Sequence, residues 1–187
     1  MVKNIAVLLL LIVLLILPNT VRAEQVAGTS AKLVTAEKAD TRIDEYVERN
    51  IQKSVIREVL ERKKSPLAGE VDAFIDACTT YDIDCYLLPS IAGLESSYGK
   101  HLMPGSHNPF GWGGGHIYFE SWSEAFHAVA RGLKHNYIDR GAETIEEIGP
   151  IYAASPTWAV RVRSIRTQFE ELEADKKLYY AKLAMSL

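Results

Sequence analysis

Residues 87–115, LLPSIAGLESSYGKHLMPGSHNPFGWGGG, join a short apolar segment to a glycine-rich loop and hold one acidic residue that bulk folding rules do not explain. The opening LLPSIAGL reads as a helix, with Pro89 near its first turn, where a missing amide costs least. Glu95 follows on the face of Ile91 and Leu88, at i−4 and i−7. A carboxylate on the apolar side of a helix loses hydration, which disfavours its ionised form. The expected result is a raised pKa, so that Glu95 holds a proton near neutrality and can give it up as a general acid. The Gly, Asn and Trp residues after it suit the rim of a cleft.

Working outward, Asp84 is placed to cap that helix, which should end near Ser97. Upstream, Ser65 as cap and Pro66 at the first helical position open another helix. Its buried stripe is Leu67, Val71, Phe74, Ile75 and Cys78. Before it, over residues 40–63, Ile43, Val47, Ile51, Val55 and Val59 recur every fourth residue among charged ones. That pattern predicts an amphipathic helix, packed on the domain or acting as a stalk. Residues 24–39 are small and polar without periodicity and read as a flexible lead.

Downstream, Phe110, Trp112 and the glycines, followed by His116, Ile117, Tyr118 and Phe119, predict a small β-hairpin. Ser121 with Glu124, and Thr144 with Glu147, are capping boxes for two further helices. The first should run to about Ile138, and the second should break around Gly149 and Pro150. Ser155 and Pro156 open the last helix, with Val162, Ile165, Phe169 and Leu172 as its inner stripe. The fold class is mostly α, with one small β excursion beside Glu95.

The N-terminus carries Lys3, an unbroken apolar run over residues 5–17, Pro18, and then Val21, Arg22 and Ala23. This is the pattern of a signal peptide over residues 1–23. A spanning helix needs roughly 20 apolar residues, so membrane attachment is expected only through an uncleaved leader. The protein is expected to be secreted or periplasmic. Losing Lys3 and Arg22 with the leader takes the net charge from −3 to −5, which leaves no electrostatic footprint for nucleic acid. The remaining chain, about 160 residues, is sized for one domain, here residues 64–187 behind the lead and the amphipathic helix of 24–63, and a monomer is expected.

Cys78 and Cys85 are expected to pair as a disulfide in an oxidising compartment. A metal site would need more ligands nearby, and a nucleophilic thiol would need a histidine partner. The five histidines form no tight ligand spacing, so neither a metal nor a cofactor is expected.

Four pieces in order now carry a resemblance: YDIDCYLLPSIAGLESSYGK, HNPFGW, FESWSEAF and IYAASPTWAVRV. Over about residues 66–170 the chain resembles the lysozyme-like superfamily of cell-wall hydrolases, in particular the autolysin-type endo-β-N-acetylglucosaminidases and their lytic transglycosylase cousins. The resemblance implies a lysozyme-like α+β domain that cleaves the glycan strands of peptidoglycan. It implies Glu95 as the catalytic acid, Asn108, Phe110 and Trp112 as cleft residues, and Tyr152 facing the reacting sugar. Asn108 could equally be a turn residue before Pro109, and Trp158 a core residue. The family commonly places a second acid in a longer β lobe. The hairpin here offers only Glu120, which reads first as a solvent-facing neighbour of Ser121. With Glu95 alone, the transition state needs the substrate's N-acetyl group, giving hydrolysis, or the 6-hydroxyl, giving an anhydro sugar. A catalytically inactive glycan-binding domain is the remaining alternative.

Overall fold

A computed structural model describes residues 23–186, with side chains from Arg42 onward. The expected leader over residues 1–23 therefore lies almost wholly outside the described residues. The chain divides into two units, Met1–Tyr46 and Val47–Leu187. The described part of the first unit is one stretch of helix. It belongs to α1 (Ala23–Arg62), which continues into the second unit.

α1 begins earlier than its apolar stripe predicts, so the stretch read as a flexible lead is helical. Residues 24–39 contain no proline and several strong helix formers, Ala, Gln, Glu, Leu and Lys. Local propensity supports a helix there without any stripe to pack. The stripe itself divides. Ile51, Val55 and Val59 are buried, whereas Ile43 and Val47 are 60% and 49% exposed. Only the half from Ile51 onward serves the core.

The second unit is built from α2 (Val71–Tyr81), α3 (Leu87–Ser96), α4 (Trp122–Asn136), α5 (Ile145–Tyr152) and α6 (Trp158–Ala184). α2 packs on α4, and α6 lies against both α3 and α5. Phe74 of α2 stacks on Phe126 of α4 at 3.9 Å, and Phe110 meets Phe126 edge-on at 5.7 Å. Tyr86 stacks on Phe169 at 5.4 Å. The long α6 returns along α1, where Lys176 pairs with Glu58 at 2.7 Å and Lys177 with Glu48 at 2.9 Å.

Several boundaries follow the capping chemistry. Ser65 accepts from the Leu67 amide at 3.0 Å and donates to the Tyr98 carbonyl at 2.8 Å. Pro66 then opens a 3-10 turn, Pro66–Gly69, which separates it from α2. Asp84 accepts from the Tyr86 amide at 2.7 Å at the head of α3. Between them the turn is closed by the Cys78–Cys85 disulfide, whose Cα atoms lie 5.0 Å apart. Thr144 and Glu147 form the expected capping box on α5, whereas on α4 Ser121 accepts from the Glu124 amide but the Glu124 carboxylate takes the Glu120 amide instead, so that box is half formed.

Two expectations are corrected. Pro150 does not break α5, which runs through it to Tyr152. Gly149 lets α5 close on α6 there: a Cβ on it would stand 3.0 Å from that of Ala159, and this packing outweighs the one amide Pro150 lacks. The second correction is the β-hairpin, since no strand occurs among the described residues. Gly111, Gly113, Gly114 and Gly115 all take positive φ, from 62° to 81°. A backbone that turns left-handed so often cannot stay extended, and the segment folds instead as a 3-10 turn, Trp112–Gly115. One amide bond, Phe119 to the Ser106 carbonyl at 2.9 Å, ties the far end of the loop back.

Candidate active site

Glu95 stands one residue from the C-terminus of α3, where the chain leaves the helix through left-handed backbone. Ser97, Tyr98 and Gly99 take φ of 52°, 61° and 80°. Two non-glycine residues in succession at positive φ store strain, which surrounding contacts must hold. Ser96 supplies much of that hold. Its buried hydroxyl lies 3.0 Å from the Ala92 carbonyl and 2.8 Å from that of Pro109, and it accepts from the Gly99 amide at 2.8 Å. The buried ring of Tyr98 lies on Gly93, where an added Cβ would come within 2.8 Å of it. The end of α3 is thus bolted to the loop that faces it.

The Glu95 side chain is exposed, contrary to the apolar-face argument. Its neighbours on that face, Ile91 and Leu88, are fully buried. Position 95 falls in the last turn, where the chain is already leaving the core. The carboxyl is therefore held by a directional contact rather than by desolvation. Its Oε1 accepts from the Trp158 indole Nε1 at 2.7 Å. Its Oε2 lies beside Gly111, where a Cβ would stand 3.4 Å away.

That contact places Glu95 next to a groove of about 270 Å³ lined by Gly111, Trp112, Gly113, Gly114, Tyr137 and Tyr152. Three of its six lining residues are aromatic. Trp112 lies 5.8 Å from Tyr152 and 6.4 Å from Tyr137, and Tyr152 stacks on Trp158 at 4.7 Å. The Tyr152 hydroxyl donates to the Phe110 carbonyl at 2.8 Å. Burial first, then the Glu95 carboxylate, then Tyr137, holds the Tyr152 phenol well above the ordinary range. It stays a neutral hydrogen-bond donor throughout the working pH range.

The residues expected in the cleft divide into two groups. Trp112 and Tyr152 line the groove. Asn108 and Phe110 are buried beneath it, at 3% and 0% exposure. Asn108 Nδ2 donates to the carbonyls of Trp112 at 2.9 Å and Ile117 at 3.1 Å, and its Oδ1 accepts from the Trp112 amide at 3.0 Å. Its amide is consumed in shaping the loop. Glu120 is exposed, as the solvent-facing reading expects, and its amide donates to the Glu124 carboxylate at 2.6 Å. It is not among the groove-lining residues.

Three participants were not legible as such. Tyr137 closes the groove from the end of α4, with no local motif to mark it. Ser96 hides beside the acid it braces. Trp158 is a core residue, as expected, yet its indole also reaches Glu95 from 63 positions away.

No protein-family model matches the chain, and no curated protein matches it.

Proposed function

We propose that the protein is an exported glycoside hydrolase that cleaves the glycan strands of peptidoglycan, with Glu95 as the general acid. The observation that carries this reading is the placement of the Glu95 carboxyl. One oxygen is pinned by an indole, and the other stands at the edge of an aromatic groove. Pyranose rings present apolar faces that gain from contact with surfaces such as Trp112 and Tyr152. The Cys78–Cys85 disulfide supports an oxidising destination outside the cytoplasm, and the leader pattern of residues 1–23 is consistent with it.

Two-carboxylate glycosidases hold their acids several Å apart across the bond. Glu120, the one acid the sequence offers for that role, does not line the groove. A single-acid reaction is the chemistry that fits. Substrate-assisted hydrolysis after N-acetylglucosamine is the first choice, with the 2-acetamido group as the internal nucleophile. Attack by the 6-hydroxyl, a lytic transglycosylase reaction, is favoured by the same observation.

Digestion of purified sacculi followed by mass spectrometry separates these readings. Reducing N-acetylglucosamine ends are expected, whereas anhydro-muramic ends would select the transglycosylase. Glu95→Gln keeps shape and polarity, and should lower turnover by at least about 10²-fold while glycan binding persists. An inactive wild-type protein that still binds sacculi would leave the glycan-binding module.

A further inference from the structure

We propose that Trp158 is a positioning residue for Glu95, whose indole N–H fixes the labile proton of the acid on Oε2, the oxygen at the groove edge. The inference rests on the glycosidase reading but adds a residue and an atom to it. An indole nitrogen donates and never accepts. Oε1, 2.7 Å from Trp158 Nε1, must therefore present a lone pair whether or not Glu95 is protonated. In a neutral carboxyl the carbonyl oxygen is the stronger acceptor, so the indole favours Oε1 as the carbonyl and leaves the hydrogen on Oε2, the oxygen beside Gly111. Proton transfer then has one defined origin: the Oε2–H bond breaks as the glycosidic oxygen takes the proton, and the electron pair remains on the carboxylate.

The indole can impose this choice because it is itself held. Trp158 is 3% exposed. It stacks on Tyr152 at 4.7 Å, and Tyr152 is tied by its hydroxyl to the Phe110 carbonyl. From the same helix, a Cβ on Gly149 would lie 3.3 Å from the indole Cε3, so α5 closes tightly on the ring. An exposed side chain in the last turn of α3 is thereby oriented from the core. Tyr152 on α5 feels the Glu95 charge and, beyond it, Tyr137 at the C-terminal cap of α4. Both phenols are raised, Tyr137 by burial and Tyr152 by burial and the Glu95 charge, so neither titrates in the range where a carboxyl does.

The test uses the 15N-labelled protein, whose three indole resonances are assigned by single Trp→Phe substitutions. The Trp158 indole signal should move with pH in one step below pH 8 and lie further downfield at the alkaline end, where it meets a full carboxylate. Glu95→Gln should abolish the step while keeping the signal. In activity, Trp158→Phe keeps the stacked ring and removes the donor. With no donor on Oε1 the proton is shared between the two oxygens, so Trp158→Phe should lower kcat at unchanged KM. A purely structural role for the ring would raise KM as well. An indole signal without a pH step, or an unchanged kcat in Trp158→Phe, overturns the proposal. If Trp158→Phe fails to fold, the wild-type and Glu95→Gln titrations still decide it. A wild-type protein inactive on sacculi overturns the glycosidase reading instead, and the indole step then decides the hydrogen bond alone.

Discussion

Replacing Asn108 by Ala tests whether this residue shapes the loop or touches the ligand. The side chain makes three hydrogen bonds to backbone, two donated by Nδ2 and one accepted by Oδ1, from a position only 3% exposed. A protein hydrogen bond contributes about 1 kcal/mol net, and an orphaned buried partner costs more. Three such bonds suggest a loss of about 3 kcal/mol. The bond to Ile117, a residue 40% exposed, is the one of the three that water can most readily replace. The expected destabilisation is therefore about 2 kcal/mol, a large share of the stability of a domain this size. Urea unfolding followed by tryptophan fluorescence would read it as a lower midpoint at unchanged slope. Asn108→Asp should fare no better, since it keeps the acceptor for the Trp112 amide but turns both donated bonds into contacts between oxygens. A change below about 0.5 kcal/mol together with lost glycan binding would refute this argument and return Asn108 to the substrate.

A Cβ placed on Gly132 would come within 2.5 Å of the Trp112 ring. Gly132→Ala should therefore displace that ring, weakening glycan binding and shifting tryptophan emission, with overpacking costing about 1–3 kcal/mol against a smaller gain in helix propensity. Protein recovered from outside the cytoplasm should show no free thiol under denaturing conditions, and reduction of Cys78–Cys85 should lower stability by roughly 2.5 kcal/mol, the loop-entropy value for so short a loop. Asp72, through its hydrogen bond to Lys53 and then the Lys53 charge, and Glu147, through the Thr144 amide and hydroxyl, are held below their ordinary values of 3.8 and 4.5. Lowered carboxylates stabilise fully above those ordinary values and lose the contribution as pH falls through the lower folded ones. Thermal midpoints should accordingly hold steady down to about pH 5 and fall below it, and Glu147→Gln should flatten part of that acid limb.

The helices with a local cap were legible from it, whereas the helical residues 24–39 were not, and the last helix starts at Trp158 behind an uncapped Thr157 instead of at Ser155 and Pro156. The caps at Ser65, Asp84, Ser121 and Thr144 act within three residues of themselves, and the stripe of α6 buries Val162 and Phe169 as its spacing requires. The hairpin misled because aromatic and β-branched residues over 116–119 do favour strands. The glycines before them decide the geometry instead, through positive φ, which composition alone does not reveal. For Glu95 the position was legible and the environment was not. Helical periodicity put it on the face of Ile91 and Leu88, but periodicity does not say where a helix leaves the core. The contact that does hold it, from Trp158, joins residues 63 apart and has no local signature.

That replacement of burial by a hydrogen bond bears on how the proposed acid would work. An exposed carboxyl is solvated, and water competes with substrate for its proton. In the free protein Trp158 occupies one oxygen and leaves the other open at the groove. A sugar ring seated in the groove against Trp112 and Tyr152 would cover that open side, and the desolvation that the fold does not supply would come from the ligand itself. Closing a site against water strengthens each electrostatic contact inside it. The groove would then both bind the glycan and finish the environment of the acid. On this reading the aromatic walls contribute to turnover as well as to affinity, because the water they exclude no longer competes with the substrate for the proton of Glu95.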